Sequence, residues 1–342
     1  MSSTTTVTTF LDMQTDLINR VRDNVSTSAI LTLAKRYINQ ALHDLHIQNN
    51  FPWAERRSAV QTAAPYSTGT VAVTATTLSN RKIVAGTDTL WNTTNTFGLD
   101  NAIGAGAKML LGSSREVHIL ASIDGQTQVT LEASTPYTGD ALSGASYTIY
   151  QDEYALASDF FRLIDNRTFS PAMALEVLDR QEFYRRYPTN SRTGTPTICT
   201  VIDLGPGATV APRPRVVFHP APDSAMSIPY RYNTRNLAVS SAGAAAENLS
   251  ADTDEPIIPV RYRHVLVFYA LYQWYRDRKD DPRAQLAQQE YVELLQRITN
   301  DTSPERDIPK LRTNRRRYAA GVAGYMRSSR YTTGTAFDEM RD

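Results

Sequence analysis

Three short stretches carry residue types that could do chemistry, and the first is "IGAGAKMLLG", with Gly104, Gly106 and Lys108. A phosphate-binding loop needs a longer glycine spacing and a Ser or Thr directly after the lysine, because that hydroxyl reaches the bound metal ion. Met109 follows the lysine here. We therefore interpret the stretch as part of a β region and not as a phosphate loop.

The second and third stretches hold metal-ligand residue types. His43 and His46 lie one turn apart on a predicted helix, but no cysteine cluster or metalloprotease histidine pair completes a zinc site, which favours exposed or capping histidines. "SADTDEP" holds Asp252, Asp254 and Glu255 without the glycine and distal glutamate of a calcium loop. A solvated turn is the better interpretation.

No other pattern indicates catalysis. No serine lies in a nucleophile-elbow sequence. The single Cys199 excludes an internal disulfide, fits a reducing cytosol, and is predicted to be a small buried apolar side chain. We predict no catalytic residues, no metal and no cofactor; a wall-degrading enzyme built from acidic residues distant in sequence stays open as an alternative.

The composition fits a globular protein. The 342 residues are 41% hydrophobic and carry 36 basic against 35 acidic side chains, so any attraction to nucleic acid or to a membrane must be local. The start "MSSTTTVTTFLDM" lacks the features of a signal peptide, and the apolar stretch 265–275 is shorter than the ~20 residues that cross a bilayer. We expect a soluble protein made in the cytosol.

The hydrophobic periodicity predicts helices near both ends of the chain. Apolar residues repeat at three and four positions from Phe10 to Val21 and from Ile30 to Leu45, which indicates an antiparallel helix pair. A short helix closed by Pro188, an aromatic helix after Pro259 and an amphipathic helix from Asp281 follow. On the last helix we expect a buried face of Leu286, Tyr291, Leu294, Leu295 and Ile298.

Between the helices the composition changes to Thr, Val, Gly, Asn and Ser. Alternating runs such as "TVAVTAT", "REVHILAS", "TQVTLEA" and "ASYTIYQ" predict strands from residue 66 to residue 150. The expected fold is α+β: a helical-bundle core with short strands over residues 1–65 and 151–302, an inserted all-β barrel or sandwich over 66–150, and an extended C-terminal tail over 303–342.

The segment "PKLRTNRRRYAAGVAGYMRSSRYTTG" concentrates positive charge in an otherwise balanced chain. It contains too few aliphatic residues to offset the entropy of ordering, about 1 kcal/mol or more per residue, so we expect it to fold only against a partner. Its candidate binding residues are Lys310, Arg312, Arg315, Arg316, Arg317, Tyr318, Tyr325, Arg327, Arg330 and Tyr331. An acidic protein groove is favoured; nucleic acid phosphates and a solvated tail are the alternatives.

The order of these parts resembles a known family. "LAKRYINQALHDLHIQNNFPWAERR", "YTGDALSGASYTIYQDEY", "RVVFHPAPDSAMSIPYRYN", "YRHVLVFYALYQWYRDRKDDPRAQLAQQEYVELLQ" and the basic tail together are similar to neck adaptor, or head-to-tail connector, proteins of short-tailed bacteriophages. The resemblance spans the chain, and it rests on "FPWAERR", "FHPAPD" and the late aromatic helix taken together. The β insertion departs from the smaller members of that family.

The resemblance implies a structural protein of the virion neck or tail, assembled in the host cytoplasm. It implies a ring of twelve copies beneath the portal protein, with the basic tail docked on the portal, tail nozzle and tail fibre proteins on the opposite face, and DNA passing through the channel. The alternative function is a DNA-binding virion protein that uses the basic tail on phosphates.

Overall fold

The computed structural model describes residues 7–21, 28–74, 76–94, 98, 100–101, 104–164, 175–204 and 213–302. The chain divides into two compact units. We call residues 1–47 with 249–342 the helical unit and residues 48–248 the β unit. Across these described ranges, no helix is long and apolar enough to span a membrane.

The α-helices in the described ranges are α1 (Phe10–Val21), α2 (Ser28–Gln48), α3 (Arg180–Arg186), α4 (His264–Asp277) and α5 (Asp281–Thr302). The first nine strands are β1 (Glu55–Gln61), β2 (Thr70–Val73), β3 (Ile83–Thr87), β4 (Lys108–Leu111), β5 (His118–Ile123), β6 (Gln128–Leu131), β7 (Leu142–Ala145), β8 (Tyr147–Tyr150) and β9 (Glu153–Ala155). The remaining strands are β10 (Phe160–Leu163), β11 (Glu176–Val177), β12 (Thr193–Gly194), β13 (Ile198–Leu204), β14 (Arg213–His219), β15 (Ala221–Pro222), β16 (Ser227–Thr234), β17 (Ala238–Val239), β18 (Ala245–Ala246) and β19 (Glu255–Pro256).

Helix α1 begins at a capping box. The Asp12 carboxylate accepts hydrogen bonds from the backbone N–H groups of Thr8 (3.1 Å) and Thr9 (2.9 Å), and the Thr9 hydroxyl accepts one from the Asp12 N–H (3.2 Å). These bonds satisfy N–H groups that the first turn of a helix leaves without intrahelical partners. The cap explains why the helix begins here, directly before its apolar face.

Helix α4 is the centre of the helical unit, because α1, α2 and α5 all pack against it. Seven of its side chains are buried: five aliphatic ones, Gln273 and Trp274. The ring of Trp274 lies edge-on to Tyr37 of α2, with centroids 5.9 Å apart. A short 3-10 turn, Val260–Tyr262, follows Pro259 and precedes the helix, which begins at His264.

The buried face of α5 differs from the predicted one. Leu286 is 61% exposed, whereas Ala284 and Ala287 are buried together with Tyr291 and Ile298. Alanines at the contact let the two helix backbones approach closely, and the Tyr291 ring then packs against Tyr269 of α4 at a centroid distance of 5.0 Å. Small residues therefore set this interface, although large ones were expected to.

Tyrosine hydroxyls donate hydrogen bonds to aspartates across the helical unit. Tyr269 of α4 donates to Asp44 of α2 at 2.5 Å, and Tyr37 of α2 donates to Asp277 of α4. Burial, followed by the bond to Asp44, raises the pKa of Tyr269 to about 12, so this hydroxyl keeps its proton at neutral pH. These bonds fix how α2 is rotated against α4.

The β unit contains several small sheets and one large one. A three-stranded sheet has the order β1-β16-β10, a four-stranded sheet has the order β11-β13-β14-β9, and β12 pairs with β15. The first two share a core that includes Val60, Tyr154, Phe218, Ile228 and Tyr230. Along β16, exposed and buried side chains alternate through most of the strand, as expected for a sheet with one face in the core.

A seven-stranded antiparallel sheet occupies residues 70–150, in the order β7-β2-β3-β6-β5-β4-β8. Tyr66, just before β2, forms a bridge with Ile149 of β8, so the segment leading into β2 approaches the opposite edge and curves the sheet. We call this sheet with residues 66–69 the half-barrel. Its core contains Trp91, whose ring N–H donates to the Tyr147 hydroxyl at 3.0 Å.

The predicted helical-bundle core over residues 1–65 and 151–302 is wrong. Residues 55–61 form a strand, and α3 is the single α-helix in the described residues between 151 and 248. The reason is periodicity: "SIPYRYNT" and its neighbours alternate every two residues, which lets a strand bury one face but leaves a helix no apolar side. The fold remains α+β in class, but most of its described elements are strands.

Replacing Tyr269 by Phe should destabilise the helical unit. The substitution keeps the ring packed on Tyr291 but leaves the Asp44 carboxylate without this donor, so we expect a loss of about 1–2 kcal/mol in the free energy of unfolding, measured by urea denaturation. Tyr272→Phe removes a hydroxyl from the same helix and is the matched control, expected within about 0.5 kcal/mol of wild type. Equal losses in both variants would contradict the role of the Asp44 bond.

Candidate functional site

The side chains predicted to bind the portal, from Lys310 to Tyr331, lie outside the described residues, which end at Thr302. We call residues 310–331 the basic segment. It follows α5 in sequence after seven intervening residues. The last turn of α5 is anchored, because Ile298 is buried and the Tyr262 hydroxyl donates to Asp301 at 3.0 Å.

The glycine-lysine stretch is structural. Gly104 and Gly106 have φ angles of 82° and 89°, in the left-handed region that glycine adopts without strain. Lys108 begins β4, and its Nζ lies 2.6 Å from Oδ2 of Asp152, a residue with no solvent-accessible surface. The lysine therefore neutralises a buried carboxylate, which leaves no basis for a phosphate loop.

Four residues form a buried polar joint: Lys108, Asp152, Asn190 and His219. The Asn190 amide donates to Asp152 Oδ2 at 2.6 Å and to the Phe218 carbonyl at 2.8 Å. His219 Nδ1 lies 2.6 Å from the Asn190 side-chain oxygen, so this nitrogen is the donor. Because Lys108 belongs to the half-barrel and His219 ends β14, the joint connects the half-barrel to the four-stranded sheet.

The surroundings keep the histidine of the joint neutral. Burial first, and then the nearby Arg192, lower the pKa of His219 below its usual value near 6.5. The imidazole stacks on the ring of Tyr187, with centroids 3.7 Å apart. Burial also raises the pKa of the neighbouring Glu153. A neutral His219 limits the charge in the joint to the pair Lys108 and Asp152.

The predicted histidine and carboxylate candidates also have structural roles. His46 is buried, not exposed, and its Nδ1 lies 2.7 Å from the Leu42 carbonyl oxygen in the same helix. Asp254 is buried and accepts from the backbone N–H groups of Ser250 and Ala251, both at 2.8 Å. A solvated turn is therefore the wrong description for Asp254.

The rest of that loop is held by ion pairs. Asp252 lies 2.8 Å from Lys35 Nζ, and Glu255 lies 2.8 Å from a guanidinium nitrogen of Arg263. Arg263, itself buried, also donates to the carbonyls of Ile258 (2.9 Å), Pro256 (3.1 Å) and Thr8. These carboxylates fasten the loop to the helical unit, which leaves them unsuited to a calcium site.

Cysteine chemistry and metal chemistry both lack a site among the described residues. Cys199 is fully buried as predicted, and burial raises its pKa to about 12, so its thiol is a poor nucleophile. In the portion of the chain that the structure describes, no three His, Cys, Asp or Glu side chains come close enough to hold a metal ion. The polar joint positions sheets and has no exposed group for chemistry.

Two of the four members of the joint, Asp152 and Asn190, were not predicted from the sequence. Asp152 lies in "TIYQDEY", where carboxylates directly follow an apolar strand, and that position could have indicated a charge near the sheet. Nothing in the sequence marks Asn190, which adopts a positive φ of 36° in the loop after α3. Asparagine tolerates that conformation better than most residues do, and its amide can donate and accept at the same time.

Removing the cation of the joint should be costly. In Lys108→Met the buried Asp152 carboxylate loses its partner, so we expect the free energy of unfolding to fall by about 3–5 kcal/mol in urea denaturation. Adding Asp152→Asn should recover part of that loss, because no unpaired charge then remains buried.

Lys82→Met is the matched control for this experiment. Lys82 is partly exposed in the half-barrel and has no carboxylate partner in the described residues, so its loss should change stability by less than about 0.5 kcal/mol. A loss below about 1 kcal/mol in Lys108→Met would contradict the importance of the joint.

The joint should also make stability depend on pH. Because the pKa of His219 is lower in the folded chain than near 6.5 in the unfolded chain, the unfolded state binds a proton more readily below that pH. The free energy of unfolding should therefore fall as the pH drops through about 6.5, and His219→Gln should reduce that dependence. Thermal unfolding at a series of pH values measures this dependence. An identical pH dependence in wild type and variant would show that His219 is not responsible.

Comparison with protein families finds a match. The family model of the SU10 adaptor protein matches residues 115–319, which is more than half of the 342-residue chain. The matched span contains three members of the joint, Asp152, Asn190 and His219, but not Lys108, and it extends past Thr302 into the basic segment. No curated protein matches the chain.

This match confirms the resemblance to phage neck adaptors and identifies the protein as a structural phage component. It agrees with the structural roles of Lys108, His46 and Asp254. The chain belongs to the SU10 adaptor protein family.

Proposed function

We propose that the protein forms a ring that joins the portal to the tail nozzle and fibres and lets DNA pass. The family match carries this proposal, because an adaptor must bind other virion components on at least two sides. The balance of 36 basic and 35 acidic residues is compatible with a channel through which DNA slides, since a strongly basic channel would retain it.

The basic segment is the proposed portal-docking element. The family match continues through residue 319 and so includes Lys310, Arg312, the three arginines at 315–317 and Tyr318. Arginine forks pair with carboxylates in bidentate geometry, and tyrosines supply apolar area with a polar tip. Such a segment suits an acidic groove on another protein.

Ring formation and docking reinforce each other in this proposal. The basic segment has few aliphatic side chains, so the entropic cost of ordering it must be offset by contacts with the portal. Each docked segment of a twelve-copy ring raises the effective concentration of the next one. Many weak contacts then produce a complex of ring and portal that rarely dissociates.

Helix α5 provides the attachment point of the basic segment. It packs along α4, and both Ile298 and the Tyr262–Asp301 bond hold its last turn in place. A rigid helix before the docking residues restricts where the segment can reach. This restriction reduces the entropy that is lost on docking.

The half-barrel is the proposed outward-facing module that contacts a tail fibre or a neighbouring copy. We propose that residues 66–150 form an inserted domain within the adaptor core, and the buried core of this sheet is consistent with a separate folding module. The polar joint would then determine its orientation, because Lys108 attaches the half-barrel to Asp152.

Deleting residues 303–342 tests the docking role. The truncated chain should remain folded by circular dichroism, because α5 ends at Thr302, but should lose binding to purified portal rings by at least tenfold. A full-length variant with the seven basic residues of the segment replaced by Gln separates the effect of charge from that of chain length. It should lose most of the same affinity. Undiminished binding by the truncated chain would contradict portal docking.

The same proteins separate docking from the DNA-binding alternative. If seven basic residues contacted duplex phosphates, the logarithm of affinity would fall with the logarithm of salt concentration at a slope of about minus six. We expect no such retardation of duplex DNA.

A further inference from the structure

One side of the β1–β16 strand pair faces solvent. We call this surface the arginine face, and it consists of the cross-strand pairs Arg57/Arg231, Ala59/Pro229 and Gln61/Ser227. Five of these side chains are exposed, and that of Arg231 is 43% exposed. The other side of the same strands buries Val60, Ile228 and Tyr230 in the core. The pair therefore has one covered face and one uncovered face.

The arginine face carries an unfavourable charge arrangement. Arg57 and Arg231 are direct cross-strand neighbours, and like charges in that position destabilise a sheet. Glu55 lies 3.1 Å from Arg231, whereas no carboxylate in the described residues pairs with Arg57. Charges on the edge strand β1 discourage edge-to-edge pairing, but Arg231 lies on the central strand β16, where that explanation does not apply.

The half-barrel has the opposite charge at one end. We call the turns at this end the acidic tip, which contains Asp88, Leu90, Asp100 and Asp124. The turns contact each other, because the Thr89 hydroxyl donates to the Gln126 carbonyl at 2.7 Å and the Asn101 amide donates to the Leu90 carbonyl at 3.3 Å. No Lys or Arg occurs from Ile83 to Ala107 or from Glu116 to Phe161.

Leu90 adds an exposed apolar side chain to the acidic tip. It is 47% exposed and has a φ of 48°, a left-handed conformation that is unusual for a leucine. Both the exposed apolar side chain and the backbone conformation are unfavourable in the isolated chain. A contact that buries Leu90 would offset part of this cost.

We propose that the arginine face of one copy binds the acidic tip of a neighbouring copy. Arg57 and Arg231 would pair with tip carboxylates, while Leu90 packs on the small apolar surface of Ala59 and Pro229. Because the two surfaces differ, the contact is heterologous and repeats head to tail until a ring closes. This inference rests on the proposed ring and identifies the surfaces that build it.

A second copy fits the arginine face better than nucleic acid does. A phosphate track requires repeated positive charge, whereas this face carries only Arg57 and Arg231, and Glu55 lies beside Arg231. The acidic tip supplies both carboxylates and an apolar side chain. Charge complementarity within a single chain sequence therefore favours self-association.

Charge reversal on full-length protein tests this inference. Sedimentation velocity, alone and with portal rings, measures the association of copies. Arg57→Glu with Arg231→Glu should weaken association at least tenfold, and so should Asp88→Lys with Asp100→Lys. Mixing the two double variants should restore association to within about threefold of wild type, because each supplies the surface that the other needs.

Arg185→Glu with Arg186→Glu is the matched control, because these exposed arginines lie on α3, outside both surfaces, and share a glutamate. It should associate like wild type. If Arg57→Glu with Arg231→Glu does not fold, as judged by circular dichroism, Arg57→Gln with Arg231→Gln replaces it, with an expected weakening of about threefold.

Wild-type association by the arginine-face variant, or no rescue in the mixture, would overturn the inference and leave the proposed ring intact. Loss of duplex DNA binding in that variant, with association unchanged, would assign the face to nucleic acid and also overturn it. Wild-type copies that bind portal rings without contacting each other would instead refute the ring itself.

Discussion

The β unit depends on compensating one carboxylate that has lost all contact with water. Burying an ion is costly, and removing one partner of a buried pair costs more than the pair contributes in net stability. Asp152 is compensated by Lys108 from β4 and by Asn190 from the loop after α3, while His219 at the end of β14 orients Asn190. Three parts of the chain that are distant in sequence must therefore meet at Asp152 at the same time. This requirement favours the complete fold over partly folded states.

The helical unit is held in a different way. Its helices bury aliphatic and aromatic side chains around α4, and bonds between tyrosines and aspartates, such as Tyr269 with Asp44, connect α4 to α2. Buried Arg263 adds hydrogen bonds to two backbone carbonyls of the loop that leads into α4. Loss of one tyrosine hydroxyl should weaken this unit gradually, whereas loss of Lys108 should affect the β unit severely.

The sequence predicted the local elements better than their assembly. Alternating runs such as "ASYTIYQ" predicted strands that the structure contains. The three- and four-residue periods of Phe10 to Val21 and of Ile30 to Leu45 predicted α1 and α2. Both succeeded because periodicity shows directly which side of an element is buried. The helical-bundle core was wrong because the two-residue alternation of "SIPYRYNT" buries one face of a strand and gives a helix no apolar side. Asn190 could not be predicted, since its role arises from residues 28 and 38 positions away.

The helices of the helical unit come before and after the β unit in the sequence, and this order has a consequence during translation. Helices α1 and α2 leave the ribosome more than 200 residues before α4, which must cover their apolar faces. At about 5–20 residues per second, the wait lasts on the order of ten seconds or longer. The β unit can fold during that time, while the nascent α1 and α2 keep exposed apolar surface that chaperones recognise. The helical unit can thus be completed only after the β unit has been translated, and only then is α5 in place before the basic segment.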